Sequence, residues 1–258
     1  MVRICSIAIL LMILAADAAR AQAPQAAPPS GDADTFRVYV SVNGAIQSAA
    51  ADFADGAATR VHAEDGRFET TYAAGGGTTL DVSGGGRVWR ALGVSVGMTR
   101  FSAATPGAFS ASVPHPFFFN QARSISGDVT GLTREEVVVH LQASGVFPVH
   151  PRVQLALFGG PAFFRVKQGL VTSYTYSESY PYDEAALRST TTSTARASKT
   201  GFSAGVDVAF YFLRNLGVGA VIRYAGTTVT LPGGAGTAGS VDVKVGGTQT
   251  GAGLRVRF

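Results

Sequence analysis

From residue 36 to residue 258 the sequence proceeds in steps of two. In TFRVYVSVN, Phe36, Val38, Val40 and Val42 share one face, and Arg37, Tyr39, Ser41 and Asn43 share the other. LGVSVGMT repeats the pattern, with Leu92, Val94, Val96 and Met98 opposite Gly93, Ser95, Gly97 and Thr99. Phe202, Ala204, Val206, Val208, Phe210 and Phe212 likewise face away from Ser203, Gly205, Asp207, Ala209 and Tyr211. Successive side chains of an extended strand point to opposite faces, so this alternation specifies strands with one apolar side. An amphipathic helix, whose apolar residues recur at spacings of three and four, is excluded over the same stretches. Glycine, at 32 residues, is also too frequent for a helical protein.

The connections between these strands alternate in length. Three are tight, at residues 89–91, 148–151 and 213–215. Between them lie long polar stretches at residues 49–79, 102–133, 168–200 and 231–240. Connections of this length are foreign to a compact soluble domain and ordinary on the outer side of a membrane barrel, whose inner turns are short. The remaining segments are eight strands, at residues 35–48, 80–89, 92–101, 134–147, 152–167, 201–212, 216–230 and 241–258. Each is near or above the roughly 9–11 residues with which a tilted strand crosses a bilayer. The expected fold is therefore all-β: an eight-stranded antiparallel up-and-down transmembrane β-barrel with short periplasmic turns and long extracellular loops. An even strand number leaves both chain ends on the same side.

Two places interrupt the grammar. Val241, Val243 and Val245 are apolar at odd positions, whereas Ala252, Leu254, Val256 and Phe258 are apolar at even ones, which predicts a bulge or kink near Gly246 and Gly247. Phe68, Thr70 and Tyr72 suggest that the second strand continues above the membrane, with residues 75–77 as a break.

Alternation alone does not distinguish a membrane barrel from a soluble one, because both alternate with opposite sense. The second face decides. It carries glycine, serine and threonine with scattered ionic residues, and charged residues make up only 15% of the chain. A water-facing exterior would carry many more, so the apolar face is the outer one. Phe36, Phe147, Phe212 and Phe258 at one end, and Phe163, Phe202 and Tyr224 at the other, suit interfacial girdles. Trp89 has lumen parity and is not counted with them. In hydrocarbon every backbone polar group must be paired, so the sheet must close, and eight strands leave an interior just wide enough for side chains. Arg37, Asp81, Arg87, Glu136, His140, Asp207, Arg223 and Arg255 are expected to fill that lumen as a mixed-sign network that plugs it.

The first residues read as an address. Arg3 precedes an apolar run at residues 4–16, too short to span a bilayer, and Ala19-Arg20-Ala21 offers a small-x-small cleavage site. Residues 1–21 are thus expected to be a cleaved signal peptide, residues 22–34 a flexible Pro/Ala-rich periplasmic lead-in, and residues 35–258 the barrel domain. The single cysteine, Cys5, falls in the segment to be removed.

The last strand carries a resemblance. GAGLRVRF, with Leu254, Val256 and Phe258 on its apolar face, resembles the C-terminal assembly signal of bacterial outer membrane proteins, which implies recognition by the barrel assembly machinery. The whole of residues 35–258 resembles a small outer membrane β-barrel domain of the OmpA/OmpX type. It is also similar to bacterial barrel proteins with stretches like PHPFFFNQ (114–121), GGPAFFRVKQ (159–168) and YPYDEA (180–185). The location implied is the bacterial cell outer membrane, with membrane lipid and lipopolysaccharide as neighbours.

Other motifs yield little chemistry. Gly234-Ala-Gly236-Thr-Ala-Gly239 matches G-x-G-x-x-G, but a strand follows it where a dinucleotide site needs a helix. The histidines have no metal-ligand spacing, and no cofactor is expected. Glu136 and His140 share a face roughly 13 Å apart along a strand, too far for direct acid/base coupling. The arginines that give the net charge of +4 are scattered, unlike the stripe of a nucleic-acid binder. Phe117, Phe118 and Phe119, and Tyr180 and Tyr182 in the next long loop, are the candidate surface contacts; a lid over the barrel mouth is the competing reading. The run 189–198 reads as solvated loop. The leading expectation is a non-enzymatic barrel with a structural or surface-interaction role, whose long loops contact the environment, a partner or lipopolysaccharide. A narrow channel or a conduit for small apolar solutes, with Arg37, Arg87 and Arg223 biasing it toward anions, is the alternative. A lipid A-modifying enzyme is disfavoured, because no strand holds the His-x-Ser pair of the deacylase type.

Overall fold

The computed structural model describes residues 38–234 and 239–258. The expected signal peptide and lead-in, together with Phe36 and Arg37, lie outside the described residues. In chain order the strands are β1 (Val38–Gln47), β2 (Phe53–Val61), β3 (Glu64–Tyr72), β4 (Gly77–Trp89), β5 (Leu92–Ala104), β6 (Gly107–Pro114), β7 (Ala122–Val129), β8 (Thr133–His150), β9 (Val153–Glu178), β10 (Ala185–Tyr211), β11 (Leu216–Pro232) and β12 (Ser240–Arg257). Eight of them, in the order β1-β4-β5-β8-β9-β10-β11-β12, form a closed barrel in which every neighbour is antiparallel and next along the barrel. The seam is closed between β1 and β12, beside which the Phe258 N–H donates to the Val38 carbonyl at 2.9 Å.

Much of what reads as long loops is strand. Two of the long connections supply β2 with β3, and β6 with β7, and these pair into a separate four-stranded sheet in the order β2-β3-β6-β7. Phe68, Thr70 and Tyr72 therefore belong to β3 of that sheet and do not prolong β4. The third connection continues β9 and β10 as a paired ribbon, so the run 189–198 is strand as well.

Along each barrel strand the polarity pattern inverts at a common height. On β11 the outward residues are Val218, Ile222 and Tyr224, then Thr228 and Thr230; the inward ones are Gly219 and Arg223, then Val229 and Leu231. On β5 outward Val96 and Met98 give way to Arg100, while inward Ser95 and Thr99 give way to buried Phe101. On β9 exposed Phe163 gives way to Arg165, and the inward residues above it are Phe164, Val166 and Leu170. The lower barrel is thus apolar outside and polar inside; the upper one is the reverse. From Leu216 to Tyr224 the apolar band runs roughly 26 Å of strand at ~3.3 Å per residue, the reach of a tilted membrane strand.

A local kink is present at Gly246 and Gly247, but the inversion, and not a register-shifting bulge, accounts for the change of apolar parity there. The register of β12 against β11 passes through both glycines unbroken, and odd positions point inward from Val241 to Arg255. What changes sides is the environment. Both glycines do have positive φ, +85° and +149°, which favours glycine over residues bearing a Cβ. Trp89 is the second correction. A register shift between Arg87 and Trp89 turns Trp89 outward, 64% exposed, at the tight-turn end where Phe147, Phe212 and Phe258 also face out. A bulge inserts one unpaired residue and so flips the parity that simple counting assigns.

Above the inversion a continuous apolar core joins the barrel to the second sheet. Phe53, Phe68, Tyr72, Phe109, Val113 and Ile125 pack with Phe164, Leu170, Val229 and Val243. The Val171 N–H donates to the Tyr72 hydroxyl at 2.8 Å, and burial raises the Tyr72 phenol above its ordinary pKa.

Candidate functional site

Two arrangements hold the residues singled out from the sequence. The first is the lumen. Asp81 on β4 accepts from Arg223 on β11 at 2.9 and 3.4 Å and from the Asn43 amide on β1 at 2.8 Å. Arg255 on β12 donates to the Asn43 carbonyl oxygen at 2.5 Å and pairs with Asp207 on β10 through Nε and Nη2. Arg223, Asp81, Asn43, Arg255 and Asp207 thus form one connected chain across the barrel, with two guanidinium groups balanced by two carboxylates. Asp81, Asn43, Arg223 and Arg255 are all buried, and the gap left at this level is about 60 Å³.

A second layer lies at the height of the inversion. Glu136 accepts from Arg134 at 2.7 Å, from the Gly246 N–H at 3.0 Å and from Gln47 at 3.4 Å. The positive φ of Gly246 turns its N–H into the lumen, where Glu136 receives it. Gln249 donates to Gln47 at 2.8 Å, and Arg134 donates to the Lys244 carbonyl at 2.8 Å. Between the layers His140 bonds to Thr99 at 2.7 Å, and Gln142 donates to Ser203 at 3.1 Å. Glu136 and His140 have separate partners, in keeping with their spacing.

Of the expected lumen residues, Asp81, Asp207, Arg223 and Arg255 meet directly; Glu136 and His140 sit in the layers above them. Arg87 lies farther toward the tight-turn end, partly exposed, and Arg37 is outside the described residues. Sequence reasoning missed Arg134, Asn43, Gln47 and Gln249. Their inward parity was the available signal.

The second arrangement is at the far end. The β6–β7 connection and the β9–β10 turn meet there, bringing Phe117, Phe118, Phe119, Tyr180 and Tyr182 into one aromatic tip. Phe117 stands edge-on to Tyr182 at 5.4 Å, and Tyr180 to Tyr182 at 6.2 Å. His115 anchors the first segment, its Nδ1 accepting the N–H groups of Phe117 and Phe118 at 3.1 and 3.2 Å. Buried Arg123 ties the two segments together: it donates to the Pro114 and Tyr182 carbonyls, each at 3.0 Å, and pairs with Glu178 at 2.6 Å. Phe117, Phe118 and Phe119 are 68, 56 and 74% exposed and Tyr180 85%, so the cluster faces outward and is not packed as a lid.

No protein-family model matches the chain, and no curated protein does. Among solved structures, the outer membrane protein OprG of Pseudomonas aeruginosa superposes with a TM-score of 0.50 at 10% identity, over 86% of this chain and 96% of that one. The fold is that of a small outer membrane β-barrel. Neisserial surface protein A aligns at 14% identity over 86% of this chain and 97% of its own, with a TM-score of 0.45. Within this fold the apolar band is the membrane belt, and the inverted part of the barrel rises above it. Leu254 and Phe258 face outward on the closing strand β12, and Val256 on the same face is half-buried.

Proposed function

We propose that the chain is an integral protein of the bacterial outer membrane whose barrel serves as a sealed anchor and whose working surface is the β-structure above the belt. The observation that carries this reading is the side-chain network inside the barrel. A connected, charge-balanced network crosses it at Asp81, Arg223, Asn43, Arg255 and Asp207, and an apolar core covers it from above. Such an interior supports no solute path, so function falls to the exposed residues, foremost the aromatic tip. A contiguous exposed aromatic patch held by a buried arginine is the kind of surface that meets another molecule.

The rest of the reading follows from position. Residues 1–21 direct export and are removed, residues 22–34 trail in the periplasm, and Leu254, Val256 and Phe258 are what the assembly machinery recognises. Arg100, Arg165, Lys167 and Arg196 stand outward just above the belt, at the height of lipopolysaccharide phosphates. The reading includes no catalytic role, cofactor or nucleic acid.

A narrow anion conduit is the competing reading. It relies on lumen arginines, and Arg223 and Arg255 are each neutralised by an aspartate. Planar-bilayer recording of the refolded mature chain tests the choice. The sealed anchor predicts no discrete conductance, whereas anion-selective steps from the wild-type protein would overturn it.

A further inference from the structure

Above the belt the second sheet and the β9–β10 ribbon share one core but are not fully joined. Among the described residues β2 is an edge strand whose only pairing is with β3. β9 pairs with β8 only up to Gln168, and beyond it with β10 alone, so its other edge has no strand partner from Gly169 onward, the Val171 N–H being met by the Tyr72 hydroxyl. Among the described residues no backbone hydrogen bond links β2 to β9. A cleft of about 180 Å³ lies between them, lined by Ala57, Ala58 and Thr59 on one side and Thr172, Ser173 and Tyr174 on the other. Its floor is apolar: Phe68 lies edge-on to Tyr174 at 5.3 Å, with Val61 and Tyr176 beside them.

Three features give the cleft a specific complement. Both flanking strands lead away from the barrel mouth: β2 starts at Phe53, stacked on Tyr72, and the free part of β9 starts beside Val171, bonded to the same Tyr72. A strand laid between them in the opposite sense would be antiparallel to both, the pairing that sheets most often use. The walls carry no guard: none of the six wall residues is charged or proline, the devices by which natural edges repel added strands. Finally, Thr59 Oγ1 and Tyr174 Oη are buried polar atoms with no hydrogen-bond partner, one on each wall. Buried hydroxyls without partners are uncommon and costly.

We propose that this cleft binds an extended segment of a partner polypeptide by strand addition, with apolar side chains at alternate positions directed to the Phe68 and Tyr174 floor and a polar group meeting Thr59 and Tyr174. Main-chain hydrogen bonds would supply affinity, and the alternate floor contacts specificity. The inference rests on the reading that the parts above the belt meet the partner, but places the contact at a site separate from the aromatic tip.

The test uses the full mature chain in detergent micelles and a fluorescent peptide of alternating valine and threonine with an arginine at each end. A copy N-methylated at every second residue serves as the control, since it keeps the side chains and loses backbone donors. The wild-type chain is expected to bind the first peptide and not the second. Ala57→Trp, which fills the cleft, should weaken binding by at least about tenfold. The gentler pair Thr59→Val and Tyr174→Phe should each weaken it severalfold, with folding confirmed by heat-modified gel mobility. Phe118→Ser with Phe119→Ser should leave binding unchanged; a loss there instead would return the contact to the tip and overturn the cleft assignment. Absence of binding to the wild-type chain, equal binding by Ala57→Trp, or equal binding of the N-methylated copy would also overturn it. A wild-type dimer in sedimentation that Ala57→Trp dissolves would place a second copy in the cleft and refute the foreign-peptide assignment.

Discussion

Replacing Asp81 by alanine tests the proposed seal at the charged network of the lumen. In the folded chain the carboxylate is 2% exposed and receives both terminal nitrogens of Arg223, itself 4% exposed, and the Asn43 amide. The substitution leaves a buried guanidinium without its carboxylate, a change that typically costs about 3–5 kcal/mol, because the remaining charge keeps its desolvation penalty. The Phe158 ring, 5.4 Å from the Arg223 guanidinium, faces it in both forms and so cancels from the difference. A loss of about 3–5 kcal/mol is therefore expected. Converting the pair together, Asp81→Leu with Arg223→Met, removes both charges at similar volume and should lie within about 1–2 kcal/mol of wild type. Guanidinium unfolding in micelles, followed through Trp89, the chain's only tryptophan, measures all of these. A loss below ~1 kcal/mol for Asp81→Ala would mean that Arg223 reaches water, and the argument for a closed lumen would fail.

Three further outcomes follow from single residues. Gly246→Ala should cost about 1–2 kcal/mol, since φ there is +85° and an added Cβ would collide with the Ala225 carbonyl; Gly44→Ala, where a Cβ meets nothing within 4 Å, should be near neutral in the same denaturation series. Arg123→Met should release the aromatic tip, seen as faster amide exchange at residues 115–121 and 179–184 with the barrel unchanged, because it breaks the Glu178 pair and frees both carbonyls. Burial raises the Tyr72 and Tyr176 phenols, so the stability tied to their neutral forms is complete below the ordinary phenol range and is lost as pH rises through the raised values. Alkaline titration should accordingly loosen the upper sheet before the barrel, and Tyr72→Phe should remove one step from the tyrosinate absorbance curve.

How much of this was legible depends on the solvent each segment meets. Lipid enforces strict alternation, so the membrane-crossing part of each of the eight barrel strands could be read from residues such as Val94, Val96 and Met98, whereas the continuation of β9 and β10 above it could not. The second sheet was not legible for a different reason. FADGAATRV, the sequence of β2, has almost no contrast between its faces, and the β3–β6 pairing joins segments about 40 residues apart with a barrel hairpin between them. The Ser/Thr-rich stretch of β10 looked like loop because its outer face meets water and its inner face rests on small residues such as Ala195 and Ala197. At the valines of β12 the apolar parity does change, but a change of surroundings explains it better than a change of backbone. Within the lumen, composition foretold mixed charge. Arg134 and Glu136 are local partners, two residues apart on one face of β8, but the pairing of Asp81 with Arg223 depends on the barrel's stagger, which no local pattern encodes.

The measurement that bears most directly on the account is a spin-label accessibility profile along the outer face of β11, in single-cysteine variants of the mature chain reconstituted in bilayers. Cysteines at Val218 and Ile222 are predicted to be open to oxygen and closed to a water-soluble nickel chelate, and those at Thr228 and Thr230 to show the reverse, with the crossing at Tyr224. A profile that stayed nickel-accessible from Val218 to Thr230, or that crossed nowhere, would contradict the inversion and the membrane placement built on it.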